Sequence, residues 1–132
     1  MYGPFPERLG EDARFEVSAL RALGLPARRA QCCADIAARA KEFYAALNRG
    51  GAEWESLLAT VKGVGPWTIG LFRIAVLREL DVLPSRDVGL LRAIRNEYGS
   101  KADLESVSQR WRPYRSVACW YLWRSLGNIP LV

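Results

Sequence analysis

Two stretches of the chain hold residue types able to grip an anion and to supply a carboxylate beside it: ATVKGVGPWTIGLF, from Ala59 to Phe72, and LPSRDVGLLRAI, from Leu83 to Ile94. In the first, Gly63-Val64-Gly65 separates two apolar helical runs. Glycine lacks the Cβ that would obstruct a close approach, so the amides of such a turn can point outward at a phosphate oxygen. Pro66 then opens a helix whose unpaired amides and positive dipole end favour the same anion. Lys62 adds a salt-dependent contact, and Val64 and Thr68 belong to the same surface. A site of this kind holds a phosphate backbone and reads no sequence. The alternative is a plain turn between helices. In the second stretch Asp87 follows Trp67 by 20 residues, a distance over which a helix and a loop can bring the carboxylate back beside the turn. Asp87 either acts on a bound partner or caps the helix that follows it.

Helical periodicity must supply the frame for these residues, and no run alternates as a strand would. FEVSALRALG reads as a short helix closed by Gly24. A longer one from Pro26 to Asn48 places Ala30, Cys33, Ile36, Ala37, Ala40, Phe43 and Leu47 on one face and ends at Gly50-Gly51. AEWESLLATV precedes the glycine turn, and PWTIGLFRIAVLREL follows it with Pro66 in its first turn. DVLPSR is a loop, Asp87 opens a helix running to about Tyr98, and Asp103 can cap LESVSQRW. Pro113 can open the last helix, PYRSVACWYLWRSLG, closed by Gly127. Some seven helices with short connections predict one all-α domain over residues 1–132.

Half of the 132 residues are hydrophobic, enough for a single packed core. Lysine and arginine outnumber aspartate and glutamate by 19 to 14, which favours a polyanionic partner. From Asp87 onward seven basic residues face four acidic ones, so the surplus extends into the second half. Three cysteines, two of them adjacent, make no disulfide framework, and the absence of histidine makes a zinc site improbable. MYGPFPERLGED has neither the basic start nor the apolar stretch of a signal peptide, and no apolar run approaches the ~20 residues that cross a bilayer. A reducing cytoplasm is the expected setting.

LRALGLPARRAQCCADIAARA, ATVKGVGPWTIGLF, DVLPSRDVGLLRAI and RWRPYRSVACWYLWRSLG, in that order and spacing, cover most of the chain. Together they resemble the helix-hairpin-helix DNA glycosylases, most of all the bacterial AlkA-type 3-methyladenine-DNA glycosylases. The resemblance implies that Asp87 is the family's essential aspartate. It would stabilise the positive charge that grows on the sugar as the base leaves and orient or deprotonate the attacking water. Strand-cleaving relatives carry, at the position of Trp67, a lysine that attacks the sugar and forms a Schiff base. Tryptophan there implies simple hydrolysis, and Lys62, five residues earlier, does not match the nucleophile's place.

Trp123 matches a pocket aromatic of the family, where an indole face can stack on a cationic alkylated base with about 0.5–2 kcal/mol of cation-π attraction. The other reading is that Trp120 and Trp123, with Val117 and Leu126, form a core stripe. Leu71 stands where some relatives have an aromatic pocket residue, which leaves the preferred lesion open. The resemblance also implies a sodium or potassium ion in the hairpin, held by backbone carbonyls that by position are those of Ala59, Val61 and Val64. No other cofactor is implied, and the four cysteines of the iron-sulfur branch are missing after the last helix.

FPERLG lies in the middle of the family's domain, so the chain is expected to hold its C-terminal two-thirds, without the helices that supply the wedge filling the gap of a flipped base. Helices lacking their usual neighbours should leave an apolar surface uncovered. The implied partners are duplex DNA with a damaged base and a second copy or second chain over that surface, with no membrane. The implied activity is monofunctional excision of alkylated bases in a bacterial or archaeal cytoplasm. The alternatives are a DNA-binding module without catalysis, or half of a split enzyme.

Overall fold

A computed structural model of the protein describes residues 16–127. The FPERLG segment and the N-terminal stretch read for a signal peptide lie outside them. The described residues form eight α-helices and one 3-10 turn with no strand, an all-α fold. The chain divides into two compact units, Met1–Gly65 and Pro66–Val132, so the boundary falls at the end of the glycine turn. None of the described helices is long and apolar enough to cross a membrane.

The first unit holds α1 (Val17–Ala22), α2 (Ala27–Ala38), α3 (Ala40–Arg49) and α4 (Glu53–Ala59). α1 packs on α2 and α3 on α4, and Ala30, Phe43, Ala46, Trp54, Leu58 and Val61 are buried. The single helix predicted from Pro26 to Asn48 is broken at Arg39, which leaves helical geometry at φ −108° and ψ 13°. No glycine or proline marks the break. Its cause lies in the side chain: Arg39 Nη1 donates to Thr60 Oγ1 at 2.7 Å, past the end of α4, and Nε donates to Glu42 at 2.8 Å. The guanidinium also sits 5.1 Å from the Phe43 ring centroid, within cation-π reach. The break re-aims α3, so Ala30 and Phe43 are buried while Cys33, expected on the same face, is exposed. Gly50 and Gly51 end α3 as predicted.

The second unit holds α5 (Pro66–Ala75), α6 (Val88–Tyr98), α7 (Leu104–Ser108), the 3-10 turn Gln109–Trp111 and α8 (Arg115–Ser125). Ile74, Val82, Leu90, Ala93, Ile94, Cys119, Leu122 and Trp123 make its core, in which α6 packs on α8. α5 opens at Pro66 as expected but stops five residues short of Leu80. The Leu77 amide donates to the Phe72 carbonyl at 3.2 Å and the Glu79 amide to that of Arg73 at 3.0 Å, turning the chain through a left-handed Arg78 at φ 56°. An Arg73–Glu79 ion pair at 2.6 Å spans the turn.

The connection that follows, residues 76–87, is tied to the start of α8. The Ser116 amide donates to the Leu80 carbonyl at 2.9 Å, and the Val82 amide donates to Ser116 Oγ at 3.0 Å. Arg115 donates through Nε to Asp81 Oδ1 at 2.6 Å and through Nη2 to the Asp81 carbonyl at 2.9 Å. That guanidinium holds the Asp81 carboxyl below its usual range, chiefly through the side-chain hydrogen bond. Pro84 is fully buried, and a Cβ on Gly70 would lie 3.2 Å from its Cα, so the glycine inside α5 admits the loop. Asp103 caps α7 as predicted, accepting from the Ser106 amide at 2.8 Å. The last helix starts at Arg115, two residues beyond Pro113.

Candidate active site

Asp87 is the N-cap of α6, with Oδ1 accepting from the Leu90 amide at 2.7 Å. Asparagine, serine or threonine would serve that purpose equally. The second oxygen does something a cap does not require: Oδ2 accepts from the indole Nε1 of Trp67 at 2.7 Å, across 20 residues of sequence. This bond ties Asp87 to the first turn of α5. Asp87 is 6% exposed, so its charge acts with little water around it. A carboxylate has about four acceptor sites, and the two donors use two of them. Acceptor capacity is left for a third group.

Trp67 is 45% exposed, so the indole fixes the carboxylate by its N–H while offering ring surface to solvent. Trp123 is turned into the core. It is 7% exposed, belongs to the core, and meets Trp120 edge-to-face at 6.0 Å and 81°. The structure gives it the surroundings of a core tryptophan and no open stacking face. Val117, placed by the sequence in the same stripe, is 39% exposed and does not belong to the core. Leu71 is partly buried and packs against the core.

Sequence reasoning missed Gly89. A Cβ there would lie 3.1 Å from Asp87 Oδ1, 3.7 Å from Trp123 Cδ1 and 3.8 Å from Leu126 Cδ1. Trp123 therefore contributes the wall behind Asp87, and glycine is what lets the carboxylate and the indole edge come together. The signal was available, because a glycine inside an apolar helical run asks for a packing reason. The Arg115–Asp81 tie, 34 residues apart, left no local trace.

Cys119, fully buried nearby, has its thiol pushed up to about 12 by burial, with the charge of Asp87 acting in the same direction. It stays protonated at neutral pH and is no rival nucleophile. A cleft of about 490 Å³ borders the same loop, with Arg86, Asp87, Val88 and Leu91 on one side and Asp103 and Glu105 on another. Its volume is in the range of small-ligand sites, and its two additional carboxylates disfavour a phosphate there.

The glycine turn belongs to the first unit up to Gly65. Gly63 has φ +106°, which only glycine adopts without strain, and a Cβ there would meet Cys32 at an ordinary 3.6 Å. Gly65 differs: its φ is not in the left-handed region and nothing lies within 4 Å of its Cβ position. Neither conformation nor internal packing requires glycine there. Lys62 is exposed and Thr68 half-buried. The Val61 carbonyl accepts from the Val64 amide at 3.0 Å, which leaves one of its lone pairs for a cation. Among the described residues no three His, Cys, Asp or Glu side chains gather into a metal site.

No protein-family model matches the sequence. Over 72 residues, 51% of this chain and 34% of the relative, it is 33% identical to the alkylbase DNA glycosidase-like protein mag2 of Schizosaccharomyces pombe. It is 29% identical to DNA-3-methyladenine glycosylase 2 of Escherichia coli over 129 residues, 96% of this chain and 44% of the relative. Against DNA-3-methyladenine glycosylase 1 of S. pombe it is 30% identical over 138 residues, 92% of this chain and 57% of the relative. The chain thus spans between about a third and somewhat over half of these relatives. Similarity to a bacterial and a fission-yeast DNA-3-methyladenine glycosylase thus runs through nearly the whole of this chain, and it supports kinship with the AlkA-type glycosylases.

Proposed function

We propose that the chain carries the excision chemistry of a monofunctional DNA glycosylase acting on alkylated bases. The observation that carries this reading is the Trp67–Asp87 hydrogen bond, which joins the hairpin's following helix to a dry, oriented carboxylate. In the reaction the N-glycosidic bond breaks, its electron pair leaves with the base, and water adds to the sugar carbon. Asp87 stabilises the cationic sugar through its fixed charge and accepts the proton of the attacking water through its remaining acceptor sites. An alkylated purine is already cationic and needs no general acid to leave, which suits a chain without histidine. The cleft beside Asp87 is lined by Asp103 and Glu105 as well as by Arg86, so its carboxylates outnumber its one basic side chain, a balance that suits such a base. Trp67 in place of a lysine gives hydrolysis without strand cleavage.

The hairpin is proposed to hold the DNA backbone through the amides around Gly63, Val64 and Gly65 with Lys62 beside them, and Thr68 in the first turn of α5 is proposed as a further backbone contact. A sodium or potassium ion on the carbonyls of Ala59, Val61 and Val64 would serve that hold by countering phosphate charge.

Duplexes bearing 3-methyladenine, 7-methylguanine or hypoxanthine, followed by alkaline cleavage of abasic sites, test the proposal. The expected result is product from at least one lesion and no covalent complex on borohydride trapping. Lesion-independent binding with no product would leave a DNA-binding module, and a trapped complex would overturn hydrolysis.

A further inference from the structure

From Ser106 to the last residue the sequence contains four arginines and not one aspartate or glutamate. Arg112 and Arg115 turn to Asp81, whereas Arg110 and Arg124 are exposed and make no ion pair among the described residues. α8 stands in this basic stretch with one face buried through Cys119, Leu122 and Trp123. Its other face carries Tyr114, at the N-cap, then Val117 and Tyr121, which are 57%, 39% and 70% exposed, with Arg124 a further three residues on. Steps of three and four residues put these side chains in one row, about 10 Å from the first tyrosine to the second at 1.5 Å per residue.

Isolated exposed apolar residues call for no explanation, but two tyrosines aligned with an unpaired arginine on a carboxylate-free helix have a defined complement. The charge selects a polyanion and makes a second copy of the same face a poor fit. The rings narrow the choice further. An exposed aromatic plane stacks on a base whose own face is open, and a duplex keeps those faces covered. We propose that the outer face of α8 binds a single-stranded stretch of DNA, with Tyr114 and Tyr121 stacking on bases and Arg124 contacting the backbone. These residues are separate from those of the hairpin and from Asp87, so the surface stands whether or not the chain excises bases.

Fluorescence anisotropy of the full chain with a labelled short oligo-dT at low salt tests it. Loss of one stacked base should weaken binding of Tyr121→Ala about tenfold, and Tyr121→Phe, which keeps the ring, should bind as the unaltered chain does. Arg124→Gln should lower the slope of log affinity against log salt by about one. Affinity for an undamaged duplex should be the same in all three variants. All these side chains are exposed, and thermal melts coincident with that of the unaltered chain will establish that the variants fold. Failure of the unaltered chain to bind oligo-dT would overturn the proposal. So would equal affinity of Tyr121→Ala, or a doubled solution mass that Tyr121→Ala abolishes, which would make the face a protein interface.

Discussion

The glycine turn and the Asp87 loop both connect helices, and they are held by opposite means. At Gly63-Val64-Gly65 the main chain does the work: the Val64 amide reaches the Val61 carbonyl, and Gly63 takes a φ of +106°. In residues 76–87 side chains do most of it: Arg115 fastens Asp81, Ser116 Oγ holds Val82 while its amide holds the Leu80 carbonyl, Pro84 fills the space over Gly70, and Trp67 fixes the carboxylate at the end. A turn built from backbone leaves its amides available to whatever approaches and suits a hold that ignores sequence. A loop built from side chains fixes one atom in one place, which is what a reacting carboxylate requires.

The sharpest way to break that contrast is Asp87→Asn. Asparagine caps a helix as well as aspartate, so the Leu90 amide keeps its acceptor, but its amide nitrogen faces the Trp67 N–H, so the fold should still melt cooperatively at a somewhat lower temperature. The charge is gone, and excision should fall about a hundredfold or more, as when other preorganised electrostatic groups are removed. Duplex affinity, assigned to the hairpin, should persist. Loss of binding together with activity, in a protein that still melts cooperatively, would show that the two regions do not divide the work.

Trp67→Phe tests the loop's anchoring with less force. The ring remains and the N–H to Asp87 Oδ2 is lost. A hydrogen bond to a charged group is worth about 1.5–3 kcal/mol, so kcat should fall about ten- to a hundredfold while the affinity for lesion DNA changes little. An unchanged kcat would mean that Leu90 and Gly89 position the carboxylate without help.

What the sequence made legible follows the same division. Asp87 and Asp103 are caps read from adjacent residues, and the glycine turn and the Pro66 start of α5 are equally local. The return of the Asp87 segment was legible from a 20-residue spacing that fits a helix and a loop, whereas its hydrogen bond to the Trp67 indole was not. The unread features depend on distant partners. Arg39 breaks a helix that periodicity runs straight through because Thr60 holds its guanidinium. α5 ends at Ala75 although VLREL continues a helical pattern, because Arg73 and Glu79 close a turn there. Trp123 fits a stacking role and a core role equally by spacing, and only its burial against Gly89 and Trp120 separates them.

The hairpin half of the contrast is sharpened by its two glycines. Gly63→Ala forces a left-handed backbone on a residue with a Cβ and should destabilise the fold by roughly 1–2 kcal/mol. Gly65→Ala meets neither strain nor contact, so its unfolding should match that of the unaltered chain. If the turn takes a phosphate, Gly65→Ala should still weaken duplex binding several-fold, by the roughly 1 kcal/mol of one hydrogen bond, for damaged and undamaged DNA alike. Denaturant melts and anisotropy titrations at matched salt read the two effects separately. A stable Gly65→Ala with full affinity would remove the phosphate role.

The smallest expected effect lies at the root of the Asp87 loop, where Arg115 holds the Asp81 carboxyl below its ordinary range. A carboxyl depressed in the folded state binds its proton more readily when unfolded, so it stabilises the fold above the unfolded value and loses that contribution as pH falls through the folded one. Asp81→Asn keeps the shape and removes the titration. The variant should melt slightly below the unaltered chain at neutral pH, and the gap should close on acidification below about pH 4, where an unperturbed aspartate takes up its proton. Partial exposure of Asp81 keeps the gap small. A gap that stays constant down to the acid limit would mean that the tie works through shape and hydrogen bonds to the Asp81 carbonyl, with its charge adding nothing. The loop would then resemble the hairpin more closely than its side chains suggest.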